Sequence, residues 1–97
     1  MTLSVIAPKK PKFPLGQIVS TPGALEALTH PEIMAALSRH VTGDWGDLES
    51  DDQLANDQSL IDGSRILSAY RNAGGTKFWI ITEADRSATT VLLPEEY

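Results

Sequence analysis

The sequence predicts an α+β fold in which a short N-terminal strand and two to three helices pack on a C-terminal three-stranded antiparallel meander. Two observations carry this prediction. Before Gly63, apolar residues recur at helical spacing and follow residues that commonly begin helices. After Gly63, apolar and polar residues alternate, and aromatic and β-branched residues become frequent, as is typical of strands.

The first residues differ from the rest. Residues 1–12 contain two prolines and three lysines (Lys9, Lys10 and Lys12) with little periodicity, which predicts a flexible basic arm. A single α+β domain is expected over residues 13–97. Its first element is a short strand at residues 17–20, which ends at the turn residues 21–23.

Three helices are expected next. Thr21 is a suitable N-cap for a short helix because Pro22 follows it. Thr29 has the capping-box spacing from a glutamate, which predicts a second helix ending at Gly43. Residues 50–53 have the same spacing and predict a third helix that ends at Gly63. The apolar stripe of the second helix is Ile33, Met34, Leu37 and Val41; the third contains Leu54, Ala55, Leu60 and Ile61.

The last third of the chain predicts the meander. Residues 65–71 alternate, with Ile66, Ser68 and Tyr70 on one face. A hairpin turn at residues 72–75 leads to a central strand at residues 77–82, and a second turn at residues 83–87 leads to a third strand at residues 88–93.

Composition excludes several classes of protein. The chain is 41% apolar and 22% charged, as in folded soluble proteins, and its 97 residues allow one domain. The absence of cysteine excludes disulfides, a thiol nucleophile and cysteine-ligated zinc. No apolar run approaches the roughly 20 residues that span a membrane, and no signal peptide is recognised. We therefore expect a cytoplasmic protein without membrane association or a cofactor.

Charge is the most informative feature. The net charge is −5, and from Phe13 onward thirteen acids face five bases, a balance of −8. Between His40 and Arg65 there is no lysine or arginine, whereas seven acids fall there. Those acids are Asp44, Asp47, Glu49, Asp51, Asp52, Asp57 and Asp62. Phosphates repel such a domain, so direct DNA binding is not expected, whereas a cationic protein surface fits it. The alternative is an ordinary solvated surface with helix-capping carboxylates.

Two further groups of residues are candidates for partner contact. Trp45, within a Gly-Asp-Trp-Gly-Asp loop, is either an anchor folded onto the core or an interface residue rimmed by charge. Glu83, Asp85 and Arg86 form a charged turn at a strand end. Arg86 either has a structural role or takes part in recognition. In the structural role it fixes the turn by pairing with Glu83 or Asp85, or with the acidic helix region. A metal site is not expected, because the loop from Asp44 lacks the spacing of calcium ligands.

Several segments together resemble a family of small plasmid- and prophage-borne proteins. The segments are residues 13–17, 21–25, 43–48, 68–70, 79–86 and 92–97. Proteins of this kind are described as plasmid-related or, loosely, as restriction-system subunits. The resemblance implies a protein carried by mobile DNA that works inside a bacterial host.

These observations favour a non-enzymatic module that inhibits or modulates a host nucleic-acid-handling complex, of anti-CRISPR or anti-restriction type, by presenting carboxylates to an Arg/Lys-lined surface. Two alternatives remain open. One is a small hydrolase or nuclease that uses His40 with Glu83 and Asp85. The other is an antitoxin-like or homodimeric regulatory protein that pairs through a sheet edge.

Overall fold

The computed structural model describes residues 10–97. The elements are β1 (Gln17–Ser20), α1 (Pro22–Ala27), α2 (His30–Val41), α3 (Ser50–Asp62), β2 (Ile66–Arg71), β3 (Lys77–Thr82), β4 (Ala88–Leu92) and a 3₁₀ turn (Pro94–Glu96). None of the helices within these residues is long and apolar enough to cross a membrane. The fold is α+β, as predicted.

The sheet has four strands in the order β1-β4-β3-β2. The predicted meander of β2, β3 and β4 is antiparallel, but β1 adds to it in parallel beside β4, so the sheet is mixed. The Gln17 N–H donates to the Ser87 carbonyl at 3.0 Å, and the Thr21 N–H donates to the Val91 carbonyl at 3.0 Å. The three helices between β1 and β2 allow the parallel pairing, because parallel strands need a long connection.

The caps of α1 and α2 form as predicted. The Thr21 hydroxyl accepts from the Ala24 N–H at 3.2 Å. Thr29 and Glu32 complete a capping box, with Oγ1 of Thr29 accepting from the Glu32 N–H and Oε1 of Glu32 accepting from the Thr29 N–H. The Glu32 carboxylate has a lowered pKa, chiefly because of that backbone hydrogen bond. Gly43 follows α2 with a φ of +89°, as expected of a left-handed stop.

The cap of α3 differs from the prediction. Glu49 is the N-cap rather than Ser50, and no side chain caps the helix. The Gln53 amide instead donates to the Leu48 carbonyl at 2.9 Å, which ties the helix to its preceding loop. Asp51 and Asp52 lie in the first turn, where the helix dipole favours carboxylates, and Gly63 ends the helix with a φ of +79°.

One face of the sheet carries the main core. Buried residues of α1 and α2 pack there on buried residues of β2, β3 and β4. They include Ala24, Leu28, Ile33, Ala36, Leu37, Tyr70, Phe78, Ile80 and Val91. A second buried cluster of Phe13, Trp45 and Ile66 connects the N-terminal segment and the loop after α2 to the end of the sheet.

The predicted basic arm lies mostly outside the described residues. Of residues 1–12, only 10–12 are described. There the Lys12 N–H donates to the Val41 carbonyl at 2.7 Å, so the chain is attached to the domain one residue before Phe13.

Candidate functional site

Helix α3 is the most unusual surface element of the described chain. Its buried side chains are polar, Asn56 and Ser59, whereas two of its aliphatic side chains face solvent. Leu54 is 64% exposed and Ile61 is 80% exposed. A surface helix normally buries its apolar side. In α3 Leu60 is partly buried against the cluster of Phe13, Trp45 and Ile66, whereas Leu54 and Ile61 remain exposed.

The inward amide of Asn56 closes one edge of the sheet. It donates to the Leu67 carbonyl at 2.6 Å and accepts from the Leu67 N–H at 3.2 Å. The loop before α3 pairs with the same edge: the Ala69 N–H donates to the Trp45 carbonyl, and the Asp47 N–H donates to the Ala69 carbonyl. The outer side of β2 is therefore occupied, whereas the outer side of β1 pairs with no described strand.

The carboxylates of α3 lie on different sides of the helix. Successive residues are about 100° apart, so Asp57 falls on one flank of the Leu54–Ile61 stripe and Asp51 on the other. Asp52 is turned toward the sheet. With Arg65 and Trp79 it lines a groove of about 400 Å³. The acids therefore form a rim around α3 rather than one flat anionic face.

Within residues 10–97, no lysine or arginine forms an ion pair with a carboxylate of α3. The Arg65 guanidinium instead donates to the Tyr97 hydroxyl at 2.8 Å. By contrast, two of the three carboxylates that precede α3 in the acidic stretch have cationic neighbours. The Arg39 guanidinium donates to Asp44 at 2.8 Å, and Arg71 Nε lies 3.7 Å from Asp47. Asp44 and Asp47 thus contribute less to the unneutralised charge than Asp51, Asp52 and Asp57.

Trp45 belongs to the core, which was one of its two predicted roles, and it is not a surface anchor. It is only 4% exposed and stacks on Phe13, with 6.3 Å between the ring centroids. Its indole N–H donates to Asp57 Oδ1 at 3.0 Å. Trp45 therefore connects the core to α3 through its hydrogen bond to Asp57.

The predicted charged turn is organised around the Arg86 guanidinium. It donates to the carbonyls of Ser59 at 3.1 Å and Ser64 at 2.7 Å, which lie at the end of α3. Arg86 fixes the turn and contacts the acidic helix region, as predicted, but carbonyl oxygens there and in its own turn accept its hydrogen bonds, rather than carboxylates. Glu83 and Asp85 remain exposed. Hydrogen bonds from Ser87 lower the pKa of the Asp85 carboxyl.

The structure does not assemble the predicted hydrolase constellation. His40 is fully buried. Its Nδ1 lies 2.6 Å from Ser68 Oγ and its Nε2 lies 2.9 Å from Thr82 Oγ1, so hydroxyls rather than Glu83 or Asp85 occupy the ring nitrogens. Burial lowers the His40 pKa from 6.5 to about 4, which keeps the imidazole neutral at pH 7.

The proton positions in this buried series of hydrogen bonds follow from its last member, the Leu15 carbonyl, which can only accept. The Thr89 hydroxyl donates its one proton to the Leu15 carbonyl, so its oxygen accepts from the Thr82 hydroxyl. Thr82 therefore accepts from the Nε2–H of His40, which leaves Nδ1 to accept from the Ser68 hydroxyl. Every N–H and O–H of these side chains thus donates a hydrogen bond, so the series is a structural connection between α2 and the sheet.

Leu54 and Ile61 were predicted as apolar residues of the third helix but not as exposed ones, and Asn56 was not singled out. A signal was present, because Leu54 and Ile61 lie seven residues apart on one side of the helix, away from Leu60.

No family model matches this chain, and neither the curated proteins nor the solved structures include a match.

Proposed function

We propose that this chain is a non-enzymatic protein-binding module whose partner presents a surface lined with lysine and arginine. The observation that supports the proposal is the charge on α3. The helix carries Asp51, Asp52, Asp57 and Asp62, and within residues 10–97 none of them forms an ion pair. A basic partner would supply the missing counter-charges and would be attracted over a distance of roughly 10 Å at moderate salt.

The partner class that best fits this chemistry is a host nucleic-acid-handling protein or complex. Such proteins carry channels lined with arginine and lysine that bind phosphates, and an array of carboxylates can occupy the same donors. The chain would then inhibit or modulate the partner, as an anti-CRISPR or anti-restriction protein does. Glu49 and the loop acids Asp44 and Asp47 would add to the rim, and Glu83 and Asp85 would form a second, weaker contact.

The burial and hydrogen bonding of His40 speak against the hydrolase alternative. A general base must reach the proton that it removes, and the ring nitrogens of His40 are taken by Ser68 and Thr82. The homodimer alternative would use the open edge of β1, because Asn56 and the loop before α3 occupy the outer side of β2.

The test is affinity capture from a bacterial lysate by the wild type and two charge-matched variants. The first variant neutralises α3, with Asp51→Asn, Asp52→Asn and Asp57→Asn. The control changes the net charge by the same amount at exposed positions outside both proposed contacts, with Glu26→Lys and Glu95→Gln. We expect the wild type and the control to retain a salt-sensitive partner that the α3 variant loses, while all three keep a similar thermal transition. Equal capture by the α3 variant would contradict the proposed function.

A further inference from the structure

The outer side of α3 carries an apolar stripe that no described residue covers. Leu54 and Ile61 are two helical turns apart and so lie on the same side, and both are more than half exposed. Single exposed aliphatic residues are common on proteins. This pair is different, because the two side chains lie on one side of a helix whose opposite side already packs on the protein through Asn56, Ser59 and the partly buried Leu60.

The charged side chains that α3 itself carries all have one sign. Asp57 lies between the two aliphatic residues along the helix, three residues after Leu54 and four before Ile61. Asp51 lies on the opposite flank, and α3 contains no lysine or arginine. An apolar centre with a charged rim is the usual composition of a protein–protein contact.

We infer that the stripe of Leu54 and Ile61 is the apolar centre of a docking surface for a partner protein that offers an apolar patch rimmed by lysine and arginine. This inference rests on the proposed function and adds its contact residues. Charge complementarity selects this occupant. A second copy of the chain would bring two acidic rims together, and an anionic bilayer or nucleic acid would be repelled in the same way.

The surroundings of α3 hold this surface in place before a partner arrives. The Asn56 amide binds β2, the Arg86 guanidinium binds the carbonyl of Ser59 near the end of the helix, and the Trp45 indole binds Asp57. A helix fixed in this way loses little conformational freedom on binding, which favours affinity.

A synthetic peptide tests the inference without knowledge of the natural partner. The probe is an amphipathic helix of about 18 residues built from leucine and lysine, and its control replaces each lysine by glutamate. We expect the lysine peptide to shift amide resonances of α3 in the protein, whereas the glutamate peptide leaves them unchanged. Shifts that map to another surface, or no binding of the lysine peptide, would overturn the inference.

Two pairs of substitutions then separate the stripe from the rim. Leu54→Ser with Ile61→Ser should weaken lysine-peptide binding at least about tenfold, because burial of each aliphatic side chain is lost. Leu25→Ser with Met34→Ser, at two other exposed aliphatic positions, should leave binding unchanged. If the stripe variant binds like the wild type while neutralisation of Asp51, Asp52 and Asp57 abolishes binding, the inference fails and the proposed function stands. If neutralisation of those acids has no effect on peptide binding or on capture from the lysate, the proposed function fails.

Discussion

Trp45 and Asp57 connect the buried core to the acidic helix, since the indole N–H donates to Asp57 Oδ1 at 3.0 Å. The indole stacks on Phe13 and meets the edge of the His40 ring, with centroids 6.0 Å apart. One carboxylate oxygen thus satisfies a buried donor, while the side chain of Asp57 as a whole remains exposed. The residue therefore has a structural role and a charge that can be separated by mutation.

The first prediction separates these two roles. Asp57→Ala should lower the free energy of unfolding by about 1 kcal/mol, because the indole N–H of Trp45 loses its acceptor. Asp57→Asn keeps a carbonyl oxygen in that place and should cost clearly less, although it removes the charge. Urea denaturation followed by tryptophan fluorescence measures both. Equal losses in the two variants would show that the hydrogen bond contributes nothing to stability.

The second prediction concerns pH and His40. The unfolded chain protonates this residue near pH 6.5, whereas burial lowers its pKa in the folded protein to about 4. Between these values the unfolded state binds more protons, so the free energy of unfolding falls as the pH falls. The full loss, reached well below pH 4, is on the order of 3 kcal/mol, and well above pH 6.5 the residue adds no pH dependence.

His40→Gln provides the comparison, because the amide nitrogen of glutamine can donate to Thr82 and its amide oxygen can accept from Ser68. The carboxylates titrate in both proteins, so the difference between their pH profiles isolates the histidine. Unfolding measured from about pH 7 to about pH 4.5 should show a shallower fall for the variant. Parallel profiles would mean that His40 is not held neutral by burial.

Local sequence signals predicted most of the fold. The Thr29–Glu32 capping box and the glycines after α2 and α3 act within a few residues, so the chain itself reveals them. The pairing of β1 with β4 was not predicted, because it joins segments about seventy residues apart and depends on the three helices between them. The cap of α3 was misassigned by one residue, since Glu49 takes the position that the pattern gave to Ser50.

The candidate site was less predictable than the fold. The acidic stretch was visible in the sequence, but its division into acids with and without an arginine neighbour was not. Arg39 and Arg71 approach Asp44 and Asp47 from other elements, and Asp51 and Asp52 face different sides of α3. Apolar periodicity also cannot predict that a helix buries a polar side chain. Asn56 faces inward because its amide pairs with the backbone of Leu67 at the outer edge of β2.

The third prediction is that the effect of Gly23→Ala on the unfolding midpoint depends on Glu96 and changes sign when Glu96 is removed. The Gly23 N–H donates to Glu96 Oε2 at 3.0 Å, and the Thr21 hydroxyl donates to the other carboxylate oxygen. These bonds, led by the one from Thr21, lower the pKa of Glu96. A Cβ at position 23 would lie 2.6 Å from Oε2, so Gly23→Ala should displace the carboxylate and lower the unfolding midpoint.

In a Glu96→Ala background the same Gly23→Ala change should raise the midpoint, because alanine favours helices more than glycine does and the obstructing carboxylate is gone. Thermal unfolding of the two single variants, the double variant and the wild type measures this interaction. Additive effects would show that Glu96 does not contact the start of α1 in solution.

The fourth prediction concerns Arg86, which joins the turn between β3 and β4 to the end of α3. Its guanidinium donates to the carbonyls of Ser59 and Ser64, and its backbone has a φ of +60°, which is rare for a residue with a side chain. Arg86→Ala should lower the free energy of unfolding by about 1–3 kcal/mol, because these carbonyls lose a charged donor.

Arg86→Gly loses the same hydrogen bonds but relieves the left-handed backbone, so it should be more stable than Arg86→Ala by about 1 kcal/mol. Hydrogen exchange at the last turn of α3 should accelerate in both variants, and Arg65→Ala, which removes an exposed guanidinium bound to Tyr97, should leave that turn protected. If Arg86→Ala and Arg86→Gly exchange like the wild type there, the end of α3 is held by its packing alone and the Arg86 guanidinium does not anchor it.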